Sequence, residues 1–470
     1  MKEILLTTIN AKWIHPSLAL RLLKANLGPL EDSCEIIEFA LRQPLGEKLE
    51  ALLAASPRIL GISVSIWNHT AVVELLEELE KVWAARPVVV LGGPEVSYLP
   101  PEAEIFPLAD YVIRGEGETA FRVLCEEILA AGKEGETPRQ PPKFIFTEPV
   151  KLDTIKSGYH LYTGEDLAKK LIYVEASRGC PFNCEFCLSA VKEGQYTAGA
   201  VREFPLEPFL AEMDALVRRG VKTFKFLDRT FNLNIKRALG ICDFFLEKIK
   251  QREEPLVVHF EMVPSLFSDE LRETLVRFPP GTLRLEIGIQ TLNPEVSARI
   301  GRRSNPEKEL EAIRFLREKT NAVIHADLIA GLPGEDIVSF ARGFDRLWLA
   351  LCETEKPEPS SRTEIQLGIL KLLPGAPISR HNETFGMRYN ALPPYEVLET
   401  SVMSAGDLQR IKNFARFWEL IVNRGLVEFT ESKPVFENFI VLSDRLSAHF
   451  GKNWGIDKDE LREMVKSYFC

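Results

Sequence analysis

The sequence predicts an α/β protein in three parts: a doubly wound parallel sheet over residues 1–135, a partial (β/α)6 barrel over 171–390, and a small, mostly helical C-terminal domain over 391–470, with a linker at 136–170. Three observations carry this. Short apolar runs alternate with helical patterns of roughly 10–15 residues, which marks right-handed βαβ units. The polar, proline-rich stretch Thr137-Pro138-Arg139-Gln140-Pro141-Pro142 interrupts the alternation, as a connection does. Six further strand–helix units then follow, a sheet shorter than a full eight-fold barrel.

In order, residues 4–7 read as a strand and 17–27 as a helix entered after His15-Pro16. Residues 59–66 form a near-continuous apolar run, the pattern of a strand buried on both faces. A helix at 72–84, a strand at 88–91, the turn Gly92-Gly93-Pro94, a strand at 111–113 and a helix at 118–130 complete the first block. Barrel strands are expected at 171–175, 223–227, 257–262, 283–289, 322–329 and 365–371, and helical periodicity returns at 398–424. There is no repeat and no low-complexity tract.

The chain of 470 residues has 45% hydrophobic and 27% charged residues and a net charge of −10. This is the composition of an ordinary globular protein, and the negative balance argues against broad binding to nucleic-acid phosphates. In the block from Ala391, ten Lys and Arg stand against twelve Asp and Glu, which gives no electrostatic support for RNA. No run approaches the ~18 apolar residues of a membrane span, and the first residues lack the pattern of a secretory signal. The expectation is a cytoplasmic protein without a membrane partner.

Eight cysteines are too sparse for a disulfide framework. Cys34, Cys125, Cys242, Cys352 and Cys470 are scattered and read as small buried hydrophobes. Cys180, Cys184 and Cys187 fall in one short run, Ser177-Arg178-Gly179-Cys180-Pro181-Phe182-Asn183-Cys184-Glu185-Phe186-Cys187, just after the first barrel strand. Loops at the C-terminal ends of barrel strands carry the chemistry of such folds. Three thiolates at these spacings suit three corners of an iron–sulfur cube and leave one iron open. A structural zinc site closes four positions, and the nearest upstream histidine, His160, is remote.

The CxxxCxxC run with an aromatic residue before its last cysteine resembles the signature of radical S-adenosylmethionine (SAM) enzymes. The stretches Glu286-Ile287-Gly288-Ile289-Gln290-Thr291 and Gly331-Leu332-Pro333-Gly334-Glu335 resemble two further strands of that family, with Thr291 in place of the family serine. The resemblance implies a [4Fe-4S] cluster on Cys180, Cys184 and Cys187, SAM chelated at the open iron, reductive cleavage to a 5′-deoxyadenosyl radical, and an external electron donor such as flavodoxin or ferredoxin. Phe186 would then lie near the adenine, or else be core. Asp228 stands at a strand end, as a site residue or as a turn cap. Glu286 and Gln290 share one face of a regular strand and either meet SAM or substrate or fill a barrel layer.

In the first block, His15-Pro16-Ser17-Leu18-Ala19-Leu20, Gly92-Gly93-Pro94-Glu95 and Arg114-Gly115-Glu116-Gly117-Glu118-Thr119 together resemble the Rossmann-like cobalamin-binding domain of cobalamin-dependent radical SAM enzymes. By that analogy, Ser63, Ser65, Gly92 and Gly93 line the groove for the corrin's nucleotide tail, with Gly115 and Gly117 in a neighbouring turn. The Asp-x-His-x-x-Gly run of the mutases is absent. His15 is therefore a helix-entry or packing residue before it is a cobalt ligand, Trp13 is a candidate neighbour of the corrin's lower face, and His69 reads as a surface or cap residue. The resemblance implies an enzyme using cobalamin, SAM and the cluster on a small molecule more readily than on nucleic acid. Methylation of an unactivated carbon through methylcobalamin is the leading expectation. The alternative is a non-methylating rearrangement, cyclisation or reduction of a small molecule or tRNA base. The late-barrel residues His325, Gln366 and Lys371 are substrate contacts or barrel fillers, and residues 389–395 read as a loop without an assigned role.

Overall fold

The computed structural model describes residues 2–130, 142–191, 201–352, 363–427, 433–452 and 454–469. The first sheet is built from β1 (Ile4–Asn10), β2 (Cys34–Ala40), β3 (Ile59–Ser63), β4 (Val88–Gly92), β5 (Tyr111–Arg114) and β6 (Phe144–Phe146). Its order is β2-β1-β3-β4-β5-β6, and every pairing is parallel. Helices α1 (Leu18–Ala25), α2 (Leu45–Ala55), α3 (His69–Val82), the short α4 (Pro94–Tyr98) and α5 (Glu118–Ala130) cover its two faces. Strand order reverses between β1 and β3, the switch point where open sheets of this kind take ligands.

Strand β2 and helix α2 have no counterpart among the sequence expectations. β2 is an edge strand whose Glu35 and Glu38 interrupt its apolar run, so neither the alternating nor the continuous pattern shows. Within 136–170, β6 adds to the first sheet beside β5, and α6 (Gly164–Lys169) follows. The proline-rich run is described only at Pro142.

The second sheet comprises β7 (Ile172–Val174), then, after the small ribbon of β8 (Ser177–Arg178) and β9 (Arg202–Glu203), β10 (Thr223–Phe226), β11 (Val257–Met262), β12 (Leu283–Gln290), β13 (Val323–Ala330) and β14 (Thr363–Ile369). The order β14-β13-β12-β11-β10-β7 is parallel throughout, and β7 and β14 form its two edges. It is an open six-stranded barrel wrapped by α7 (Leu206–Arg218), α8 (Ile235–Lys250), α9 (Asp269–Val276), α10 (Pro294–Arg299), α11 (Pro306–Lys319) and α12 (Ile337–Cys352). Burial alternates along β11, β12 and β13: one face packs on the helices, while the other faces a half-buried interior.

After β14 a small antiparallel hairpin, β15 (Arg388–Tyr389) and β16 (Val397–Glu399), leads to α13 (Ala405–Trp418), α14 (Phe436–Phe450) and α15 (Lys458–Phe469). These helices have no core of their own. Phe414, Trp418 and Phe439 belong to one contiguous cluster with Phe260, Leu285 and Ile324 of the barrel. Cys34, Cys125 and Cys242 are buried free thiols and Cys352 is half-buried; Cys470 lies outside the described residues. Among the described residues no helix is long and apolar enough to cross a membrane.

Trp418 sits at the centre of this shared core, with ring centroids of Phe344, Phe439, Trp348 and Phe414 at 4.8, 4.9, 5.1 and 5.6 Å. Trp418→Ala is expected to cost about 3–5 kcal/mol in chemical denaturation. A loss below about 1 kcal/mol would show that the C-terminal helices do not share the barrel's core.

Candidate functional site

The cysteine loop leaves the barrel directly after β7. Asp228, at the end of β10, accepts from the Ala176 amide (2.9 Å) and the Ser177 hydroxyl (2.6 Å), and so holds the point where that loop departs. Burial pushes its carboxyl up to about 6 against those two bonds. Cys180, Cys184 and Cys187 are half-buried free thiols. The Cys187 amide donates to the Cys184 carbonyl (2.9 Å), and the Cys180 thiol lies 3.6 Å from the Thr230 hydroxyl. The intervening Glu185 anchors the loop: its amide donates to Ile300 O, its carbonyl accepts from Ile378, and its carboxylate takes Arg380 and His381. Phe186 packs against the barrel core.

Among the described residues no group of three or more His, Cys, Asp or Glu side chains is placed to hold a single metal ion. A four-iron cube needs its soft thiolates on separate irons, and three free, half-exposed thiols on one loop fit that requirement.

The barrel interior is polar. Glu286 pairs with Lys225 Nζ at 2.9 Å and lies 3.4 Å from His259 Nε2, and these neighbours, His259 foremost, hold its carboxyl down at about 2. Glu286 is thus tied to two basic neighbours in the barrel interior. Gln290 departs from the regular strand: the β12–β13 register slips at Gly288–Gln290, Gln290 has φ +68°, and its side-chain nitrogen would stand 2.7 Å from a Cβ at Gly288. His325 meets Glu364 and Gln366, each at 3.0 Å, and Lys371 forms an isolated antiparallel backbone bridge with Glu396.

Three interior residues escaped the sequence reading. Burial pushes Glu261 up to about 7 and Asp327 up to about 8 on the inward face of β11 and β13. Arg302 reaches the Gly288 carbonyl, hydrogen-bonds Cys184 and lies 3.6 Å from buried Glu309. Their signal was available for the two acids: charge at period 2 in the otherwise apolar runs Val257-Val258-His259-Phe260-Glu261 and Val323-Ile324-His325-Ala326-Asp327.

In the first domain, a cavity of about 270 Å³ lies between α1 and α5 over the ends of β3, β4 and β5. Ser63, Gly92, Gly93, Gly115 and Gly117 line it, with Leu20, Leu23 and Phe121 behind, and Glu175, Arg178 and Leu227 of the barrel on the far side. Gly93, at φ +106°, has no room for a side chain, because a Cβ would meet Val64 O at 2.5 Å; a Cβ at Gly92 would meet nothing closer than 3.8 Å. A glycine-lined slot beyond the carboxyl ends of β3, β4 and β5, apolar toward the sheet and charged toward the barrel, fits a nucleotide tail.

Ser65 is not part of that lining; it is buried beside Asn68, whose side chain accepts from its amide. His15 bonds the Tyr173 hydroxyl at 2.8 Å, a packing role between the domains. Trp13 is 49% exposed, with Lys170 Nζ 5.0 Å over its ring. His69 is not at the surface: it opens α3 but is buried, because Glu95 accepts from its Nδ1 at 2.9 Å.

A buried charge cluster joins cavity and cysteine loop. Arg178 meets Glu175 and Glu118 at 2.7 Å and Glu116 at 3.3 Å, and Arg202 also pairs with Glu116. The carboxylates raise the guanidinium's pKa further, outweighing its burial, while burial raises that of Glu175.

The B12 binding domain family matches residues 4–125 and the Radical SAM superfamily matches 174–346. The chain belongs to the cobalamin-dependent radical SAM family. Among the relatives of this family member, an uncharacterized methyltransferase, PH0819 of Pyrococcus horikoshii, is 27% identical over 303 residues, covering 59% of this chain and 61% of that protein. The cobalamin-dependent radical SAM methyltransferase TokK of Streptomyces tokunonensis is 24% identical over 367 residues, covering 73% of this chain and 51% of TokK. The chain thus spans half to three fifths of these curated relatives. The structure of OxsB, a cobalamin-dependent SAM radical enzyme solved with aqua-cobalamin and SAM, superposes with a TM-score of 0.64 at 17% identity, over 99% of this chain and 74% of OxsB. It shares the fold.

Glu335, which accepts from the Thr291 hydroxyl at 2.7 Å, supplies a pH test of this packing. Burial raises its carboxyl from 4.5 to about 7, so the folded state holds a proton that the unfolded chain releases. Its contribution therefore falls as pH rises from about 4.5 to 7 and is level above that, by on the order of 3 kcal/mol. Denaturant midpoints of wild type and Glu335→Gln should converge toward low pH and separate in favour of the glutamine toward neutrality; parallel profiles would contradict the buried carboxyl.

Proposed function

We propose that the chain is a cobalamin-dependent radical SAM methyltransferase that methylates an unactivated carbon of a small molecule. The observation that carries this is the shared wall: Glu175 and Arg178 line the first domain's cavity and also form the stalk of the cysteine loop, so two cofactors would face each other across one buried ion cluster. When bound, a [4Fe-4S] cluster supplies the electron that cleaves SAM, and cobalamin supplies a cobalt able to carry a methyl group.

The chain's own residues hold and orient. Cys180, Cys184 and Cys187 would hold the cluster, Asp228 fixes the start of their loop, and Phe186 would stand near the adenine of SAM. Gln290, turned out of the strand at its bulge, and Asp327 offer polar contacts at the mouth of the barrel. Glu286 keeps Lys225 and His259 in place below them. Ser63, Gly92, Gly93, Gly115 and Gly117 hold the nucleotide tail, and Trp13 borders the corrin. An external one-electron donor such as flavodoxin or ferredoxin completes the proposal. A tRNA substrate draws no support from the near-balanced charge of the C-terminal block.

After anaerobic reconstitution with iron, sulfide and cobalamin, added SAM and reductant should give both 5′-deoxyadenosine and S-adenosylhomocysteine. Deoxyadenosine alone would replace methyl transfer by a non-methylating reaction. Cys184→Ala should lower deoxyadenosine to background while cobalamin stays bound, since the two sites sit on separate sheets; a variant that still cleaves SAM would refute the cluster ligands.

A further inference from the structure

The barrel's exit segment reaches across to the first domain at one helix. Past β14, Gly375 turns at φ +77° so close to α4 that a Cβ there would lie 3.0 Å from Tyr98 Cβ. Further on, the Tyr395 hydroxyl donates to Glu95 Oε1 at 2.6 Å, the oxygen that also accepts from His69 Nδ1. Glu95 is 3% exposed. Tyr395 holds φ +56°, a region bulky residues avoid, fixed by Leu372 N donating to its carbonyl and its own amide donating to Leu392 O. Such a conformation persists where surrounding contacts over-determine it.

Glu95 stands two residues past Gly93, with Pro94 between them. Its amide donates to Val64 O at 3.2 Å, the atom that leaves Gly93 no room for a side chain. A shift of Glu95 is therefore a shift of Gly92 and Gly93, two residues of the first domain's cavity.

We propose that Tyr395 is a positioning residue: by docking the exit segment on Glu95 it sets the Gly92–Gly93 corner for the cobalamin tail. This rests on the reading of that cavity as the cobalamin site. Tyr395 touches no reacting group, so its loss should act on one cofactor and spare the other.

The test uses the full chain with its cluster reconstituted, hydroxocobalamin titrated by absorbance, and reductant-dependent SAM cleavage measured in parallel. Tyr395→Phe removes one hydrogen bond to a buried carboxylate and should weaken cobalamin binding about tenfold, with SAM cleavage within about twofold of wild type. Glu95→Gln, which keeps an acceptor, should lose less affinity than Glu95→Ala. Gly375→Ala, pressing on the same helix from its other end, should repeat the Tyr395→Phe pattern. Unchanged cobalamin affinity in Tyr395→Phe overturns the proposal, as does a parallel fall in affinity and SAM cleavage, which marks a general loss of fold. A wild-type chain that binds no cobalamin overturns the cavity reading and this proposal together, before any variant is made.

Discussion

Arg178 lies between two domains and among three carboxylates, and the arrangement of both candidate sites depends on it. A guanidinium taken out of water is tolerable only where carboxylates replace its hydration. Here they come from both sides: Glu116 and Glu118 from the turn into α5, Glu175 from the end of β7. Because a fork of fixed donors demands fixed acceptors, the cluster sets the spacing between the first sheet and the barrel more strictly than apolar contact would. The glycine-lined cavity and the stalk of the cysteine loop share this cluster as a common wall.

A second tie runs through Arg21 of α1. Arg21 pairs with Glu38 of β2 and Asp166 of α6, each at 2.9 Å, and lies 4.5 Å over the Tyr162 ring. The segment between the sheets is thus held by charge and by an aromatic face, and its own part in the first sheet, β6, is only three residues long.

Much of this architecture was legible because buried parallel strands and helical stripes follow simple periods. The barrel strands, the cysteine loop and the glycine turns stand near where the sequence places them. What escaped did so for identifiable reasons. β2 was hidden because an edge strand tolerates Glu35 and Glu38, which break its period. Gln290 follows no strand rule because a bulge turns it to positive φ, something one sequence does not announce. Ser65 falls outside the cavity because the chain bends toward Asn68 just past β3. His69 was misplaced because its partners, Glu95 and through it Tyr395, are 26 and about 330 residues away in the chain. Arg302 was missed because it acts through a backbone carbonyl and a thiol brought close only by folding.

Helix α1 has a double allegiance. Leu20 belongs to the core of the first sheet, whereas Leu18 and Leu22 belong to the core of the barrel. A helix with two apolar stripes cannot be satisfied by one domain alone. Cutting the chain between the sheets would strip α1 of one of its two partners and leave apolar surface open to water on both halves.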